Sequence, residues 1–198
     1  MQDRETDTYW SIMTGEPVAG EMAGTPLEEL PVGEKIRWKD WLRKHPDTLV
    51  LSVSGKEDTD NVYADYFQSD RGFQGIQAQD SRLREKQSVY AFRLGPREYA
   101  VPSEIVEGGR FMEIDGTTFF FYRPRNADLF ASTVAYRVDS GELVKTKEGW
   151  VHRPSGALFD PELPGFKEDG PAEVRRLNGL DTYWYTWSLS NPETRLIR

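Results

Sequence analysis

Ser88-Val89-Tyr90-Ala91-Phe92-Arg93-Leu94-Gly95-Pro96-Arg97-Glu98-Tyr99-Ala100-Val101 is the stretch that decides the fold. Tyr90, Phe92 and Leu94 alternate with smaller or polar residues, Gly95-Pro96 turns the chain, and Tyr99 and Val101 bring it back. Alternation of this kind is the signature of a strand with one face buried. Downstream, Phe111 to Ile114 and Thr117 to Tyr122 flank Asp115-Gly116. That dipeptide suits a type I′ turn, whose two central residues both need positive φ. Phe130, Ser132, Val134, Tyr136 and Val138 alternate again, Asp139-Ser140-Gly141 turns into Leu143 to Thr146, and Trp150-Val151-His152 follows Glu148-Gly149. Short strands at this spacing predict a mainly β fold, an antiparallel sheet folded into a barrel or sandwich.

Two short helices frame the strands. Trp38, Trp41, Leu42 and His45 fall on one helical stripe over 36–45, and Pro46 ends it. Leu49, Leu51 and Val53 then alternate as a short strand. Leu180, Tyr183, Trp184 and Trp187 make a second stripe over 180–190, with Asn178 or Asp181 as its cap, Pro192 as its stop and a strand starting at Leu196-Ile197. Aromatic stripes of this kind are expected to pack on the sheet rather than form a ligand platform.

The two helices carry one pattern, W-x-x-W-x-x-x-x-P-x-T, at Trp38, Trp41, Pro46, Thr48 and again at Trp184, Trp187, Pro192, Thr194. Upstream of each is a Trp followed by a hydroxyl–Gly turn: Trp10 with Thr14-Gly15, and Trp150 with Ser155-Gly156. The repeat predicts a duplicated unit: 1–52 as an incomplete first copy, 53–87 as a linker or long loop, and 88–198 as a complete second copy. Within the linker, Glu57-Asp58-Thr59-Asp60 is an acidic loop and Tyr63-Ala64-Asp65-Tyr66-Phe67 a short aromatic turn.

Composition narrows the function by exclusion. The 198 residues include no Cys, so disulfides, thiolate zinc sites and cysteine nucleophiles are out. A net charge of -8 repels phosphate backbones and argues against broad nucleic-acid binding. The mean hydropathy of -0.67 fits a soluble chain, and no stretch has the apolar length of a membrane span. The first residues show no signal peptide. No G-x-S-x-G, G-x-G-x-x-G, P-loop or H-E-x-x-H is present. His45 and His152 read as structural, and the acidic loop lacks the spacing of a calcium loop. No metal or cofactor is expected.

Asp3-Arg4-Glu5-Thr6-Asp7-Thr8-Tyr9-Trp10-Ser11-Ile12-Met13-Thr14-Gly15, running on to Gly20 and Gly24, resembles a segment of the DUF3179 proteins, an uncharacterised bacterial and archaeal family. Trp38 to Trp41 and His45-Pro46-Asp47-Thr48-Leu49-Val50-Leu51-Ser52 resemble a second family segment. Tyr63 to Phe67 is similar to a third, and Gly95 to Thr194 resembles the family's more divergent second unit. The chain departs from the family in having neither a preceding sheet nor a dicysteine motif, and in carrying Val101-Pro102 where Tyr-Pro is usual. The resemblance therefore implies a member lacking its N-terminal part, with Met1 where relatives have an internal residue. It also implies an exported origin.

Asp3, Arg4, Trp10 and Thr14 are the candidate ligand-binding residues, since they lie in the most specific segment of the resemblance. A guanidinium fork such as Arg4's suits a carboxylate or phosphate. The first reading of the Asp–Arg pair is a network, Asp–Arg or Arg–carbonyl, that stabilises the turn; the anion clamp is the alternative. The expected function is a non-enzymatic binding or interaction module; the alternative is an enzyme or metal/redox protein whose active half lies in the missing sheet. Apolar surface around Trp10, Leu27 and Leu30 predicts a homo-oligomer or docking on a partner.

Overall fold

The computed structural model of the chain describes residues 1–11, 15–25, 35–52, 55, 62–138, 141–161, 165–166, 171 and 174–198. It comprises two compact units, Met1–Pro31 and Val32–Arg198.

The first unit is a small β structure. Strands β1 (Tyr9–Trp10) and β2 (Pro17–Ala19) pair antiparallel. The chain start folds back on β1: the Trp10 amide donates to the Met1 carbonyl at 2.7 Å, and the Met1 ammonium donates to the Trp10 carbonyl at 2.8 Å. Gly20 permits a close approach here. Its φ is +107°, and a Cβ on it would lie 2.5 Å from the Asp7 carbonyl oxygen, so only glycine fits.

The second unit holds the remaining elements. In chain order they are α1 (Trp38–Lys44), α2 (Ala64–Gln68), β3 (Ser88–Leu94), β4 (Arg97–Pro102), β5 (Arg110–Ile114), β6 (Thr117–Tyr122), β7 (Val134–Arg137), β8 (Leu143–Lys145), β9 (Trp150–His152), β10 (Phe159–Asp160), β11 (Gly165–Phe166), β12 (Arg175–Arg176), β13 (Gly179–Tyr183), α3 (Trp184–Ser190) and β14 (Arg195–Leu196). Two four-stranded sheets form the frame, in the orders β13-β3-β4-β14 and β12-β7-β6-β5. All their pairings are antiparallel except β14 on β4, which is parallel. The β5–β6 turn has φ +49° at Asp115 and +74° at Gly116, the double positive that the Asp-Gly signal demands.

The sheets face each other as a sandwich. Tyr90, Phe92, Tyr99 and Val101 from one sheet meet Met112, Ile114, Phe119, Phe121 and Ala135 from the other. The opposite face of β6 is buried too: Phe120 and Tyr122 pack with Leu143, Phe159, Trp150 and Phe166 from the hairpins β8–β9 and β10–β11. A strand buried on both faces loses alternation and reads as a continuous apolar run, which is why β6 is Phe119-Phe120-Phe121-Tyr122.

The W-x-x-W helices follow the same backbone path. Each starts after an extended residue (Arg37, ψ 140°; Tyr183, ψ 148°) and ends on a residue at φ -134°, His45 or Asn191. Those two amides donate to the Trp41 and Trp187 carbonyls at 2.8 and 2.9 Å. The Thr48 and Thr194 amides then donate to the His45 and Asn191 carbonyls. Their surroundings differ. Trp184 and Trp187 are buried, whereas Trp38 is 50% exposed. Trp41 is half-buried and donates from Nε1 to Thr48 Oγ1 at 2.8 Å.

Three local expectations are corrected. Residues 49–52 join no ladder among the described residues, Leu49 and Leu51 are over 90% exposed, and Val53 lies outside the described residues; alternation supplies a buried face only where a partner strand exists. The stripe at Leu180 and Tyr183 belongs to β13, and α3 begins only at Trp184. Neither Asn178 nor Asp181 caps it, because the Gln87 and Glu85 carbonyls accept from the Trp184 and Tyr185 amides, both at 2.9 Å. The aromatic turn at 63–67 is largely helical, as α2.

Candidate functional site

In the first unit, the structure does not join Asp3 to Arg4 in an ion pair. Asp3 accepts from the Glu5 amide at 2.9 Å and from the Thr6 hydroxyl, closing its own turn. The Thr6 hydroxyl, then the Glu5 amide, hold the Asp3 carboxyl below its ordinary range. Thr8, fully buried beneath this turn, accepts from the Met22 amide at 3.1 Å. Arg4 is exposed and makes no hydrogen bond or ion pair among the described residues. Trp10 is half-buried; Thr14, Leu27, Leu30 and the acidic loop Glu57, Asp58, Asp60 lie outside the described residues.

The second unit contains a more developed site. Arg123, directly after β6, is 4% exposed, and both terminal nitrogens of its guanidinium are bonded to the chain around it. It donates to the Asp128 carbonyl at 2.8 Å, the Ala131 carbonyl at 2.6 Å and Thr133 Oγ1 at 3.3 Å, and pairs with Asp181 of β13 at 3.4 Å. Asp181 Oδ2 also accepts from the Thr133 amide at 2.7 Å. Five donors in a planar fork make arginine the residue that can tie several loop carbonyls at once. The pair thus fixes the loop 124–133 against the sheet. Burial raises the Asp181 pKa, opposed by Thr133, Lys35 and Arg123.

Two adjoining cavities open at this loop, sharing Lys35 and Phe130. The first is a cleft of about 300 Å³ with aromatic walls from Tyr66, Phe67, Phe130 and Tyr183 and with Arg123 and Asp181 in its lining. Phe67 meets Phe130 edge-on at 5.4 Å between ring centres, and Tyr66 meets Tyr183 edge-on at 6.2 Å. The Tyr66 ring is held by other contacts: the Lys86 ammonium sits 4.2 Å from its centre, and its hydroxyl shares a 2.9 Å hydrogen bond with the Tyr185 hydroxyl. Burial raises the Tyr66 pKa, so it stays a neutral phenol.

The second cavity is a groove of about 560 Å³ between α1 and the 124–133 loop. Lys35, Arg37, Lys39, Arg43, Lys44 and Arg125 line it, against two carboxylates, Asp40 and Asp128. Both carboxylates are already engaged. Asp40 pairs with Arg37 at 3.1 Å and Arg43 at 2.8 Å, and Asp128 accepts from the Phe130 amide at 2.9 Å. Lys35 stands exposed where the two cavities join. Partial desolvation of its ammonium lowers its pKa, offset in part by Asp181 and Asp128.

Spacing in the sequence marks none of these residues as a site: Asp181 suits a helix cap and 63–67 an aromatic turn. Only Arg123 left a signal, a charged residue continuing a strand of four consecutive aromatics. His152 is fully buried with Nδ1 sharing a 2.8 Å hydrogen bond with Ser155 Oγ, a structural placement within the β9 turn. Among the described residues, no group of three or more His, Asp or Glu side chains is arranged to hold a metal. Nor is any helix long and apolar enough to cross a membrane.

The model of one protein family, DUF3179, described as a protein of unknown function, matches residues 1–194. No curated protein and no solved structure matches the chain.

Proposed function

We propose that this chain, which belongs to the DUF3179 family, is a binding module that takes a small organic ligand in the aromatic cleft beside the 124–133 loop. The observation that carries the reading is a concave, aromatic-walled cavity of about 300 Å³ built over a buried Arg123–Asp181 pair. Ligand sites combine apolar walls with a few fixed polar groups in this way. The Tyr66 wall is fixed by contacts made outside the cleft, so little ordering cost falls on that side on binding. The family resemblance supports an exported setting for it.

The test is a ligand-observed NMR screen of small bicyclic aromatics against the whole chain and against Phe130→Ala. Hits that compete with one another and weaken in Phe130→Ala support the cleft as the site. A screen in which hits bind both proteins alike would move the site elsewhere.

A further inference from the structure

We infer that the ligand of this cleft is an aromatic anion, its ring between Tyr66, Phe130 and Tyr183 and its acidic group at Lys35, where the cleft meets the cationic groove. This rests on the proposal that the cleft is a ligand site, and adds the charge of what enters it. The argument begins with charge placement. The chain carries a net charge of -8, yet among the described residues the groove that joins the cleft is lined by six cationic side chains and two carboxylates. Cations gathered against the overall sign of a protein call for a local reason.

Ion pairing within the groove does not supply that reason. Asp40 is shared by Arg37 and Arg43, and Asp128 is used by its own turn. Lys35, Lys39 and Arg125 have no salt bridge among the described residues. Lys35 is the decisive one, because it alone of these cations lines both cavities. Its backbone is tied down: the Ser132 hydroxyl donates to the Lys35 carbonyl. An ammonium at the edge of an aromatic slot, where the slot opens on a cationic groove, fits one acidic group on a flat ring system.

The same charge balance argues against a long polyanion. A nucleic acid strand or a sulfated polymer would run beyond the groove onto the rest of a strongly acidic chain, and would be repelled there within a Debye length of about 8 Å at physiological salt. A small anion feels only the groove.

The test uses a matched pair on the whole protein: naphthalene-1-sulfonate and its neutral counterpart naphthalene-1-sulfonamide, by titration calorimetry at low and at physiological salt. The sulfonate should bind on the order of tenfold more tightly at low salt, as charge-assisted hydrogen bonds do. The advantage should shrink with added salt. Lys35→Met should remove most of that advantage and change sulfonamide affinity far less. Equal affinities for the two probes, insensitive to Lys35→Met, would overturn the anion and leave the cleft standing. Failure of both probes to bind would overturn the cleft as well. A ten-residue oligothymidylate binding more tightly than the sulfonate would also refute the inference.

Discussion

Replacing Arg123 with Met should be among the most damaging single changes in the second unit. The substitution keeps an unbranched side chain of similar length and removes five donors. Three acceptors then lose their partner: the Asp128 carbonyl, the Ala131 carbonyl and Thr133 Oγ1. Asp181 also loses its buried cation; the two side chains are 5% and 7% exposed, so solvent screens the pair little. Breaking a buried pair by deleting one partner costs about 3–5 kcal/mol. With a urea slope of about 2 kcal/mol/M, the unfolding midpoint should fall by roughly 1.5–2.5 M. Removing the stranded charge as well should help. Arg123→Met/Asp181→Asn should be less destabilised than the two single changes added together, by about 1–3 kcal/mol. Urea titrations at pH 7, followed by tryptophan fluorescence, measure all four corners of the cycle. An Arg123→Met midpoint within about 0.3 M of the parent, or strict additivity in the cycle, would refute the claim that this pair organises the loop.

Phe121→Ala should cost about 3–5 kcal/mol, since the ring is fully buried between the sheets; calorimetric or urea unfolding measures it. Gly20→Ala forces a Cβ into the Asp7–Thr8 backbone at positive φ and should strip hydrogen-exchange protection from the Thr8 and Trp10 amides. Asp115 is held below its ordinary pKa of 3.8 by the Tyr99 hydroxyl and then by Arg97, so its contribution to stability is present above that value and lost as pH falls through the lowered one. Asp115→Asn keeps a residue that tolerates the positive φ of the turn and should remove that part of the acid limb from a stability-against-pH curve; an unchanged acid limb would show the cluster contributes nothing.

What the residues reveal before folding depends on the range of the interaction. The β3–β4 and β5–β6 hairpins are readable because turn chemistry and alternation sit within a dozen residues of each other, and Asp115-Gly116 adopts the backbone its identity requires. The two tryptophan helices are readable for the same reason, although α3 starts later than its stripe suggests because β13 takes Leu180 and Tyr183 into the sheet. The Leu49 to Ser52 segment shows the limit: local alternation marks a willing strand, and only distant chain decides whether it is paired. The cleft lies beyond that limit altogether. Arg123 and Asp181 meet across 58 positions, and Tyr66 and Tyr185 across 119. A single sequence offers no periodicity that links such pairs.

The parallel seating of β14 beside β4 sets an order of events. Arg195 lies opposite Tyr99, so β4 is synthesised roughly a hundred residues before the strand that covers its edge. Until then the nascent sheet ends in a row of open amides and carbonyls, an invitation to foreign strands. Late truncations or stalled translation should therefore yield aggregation rather than a slightly shortened protein.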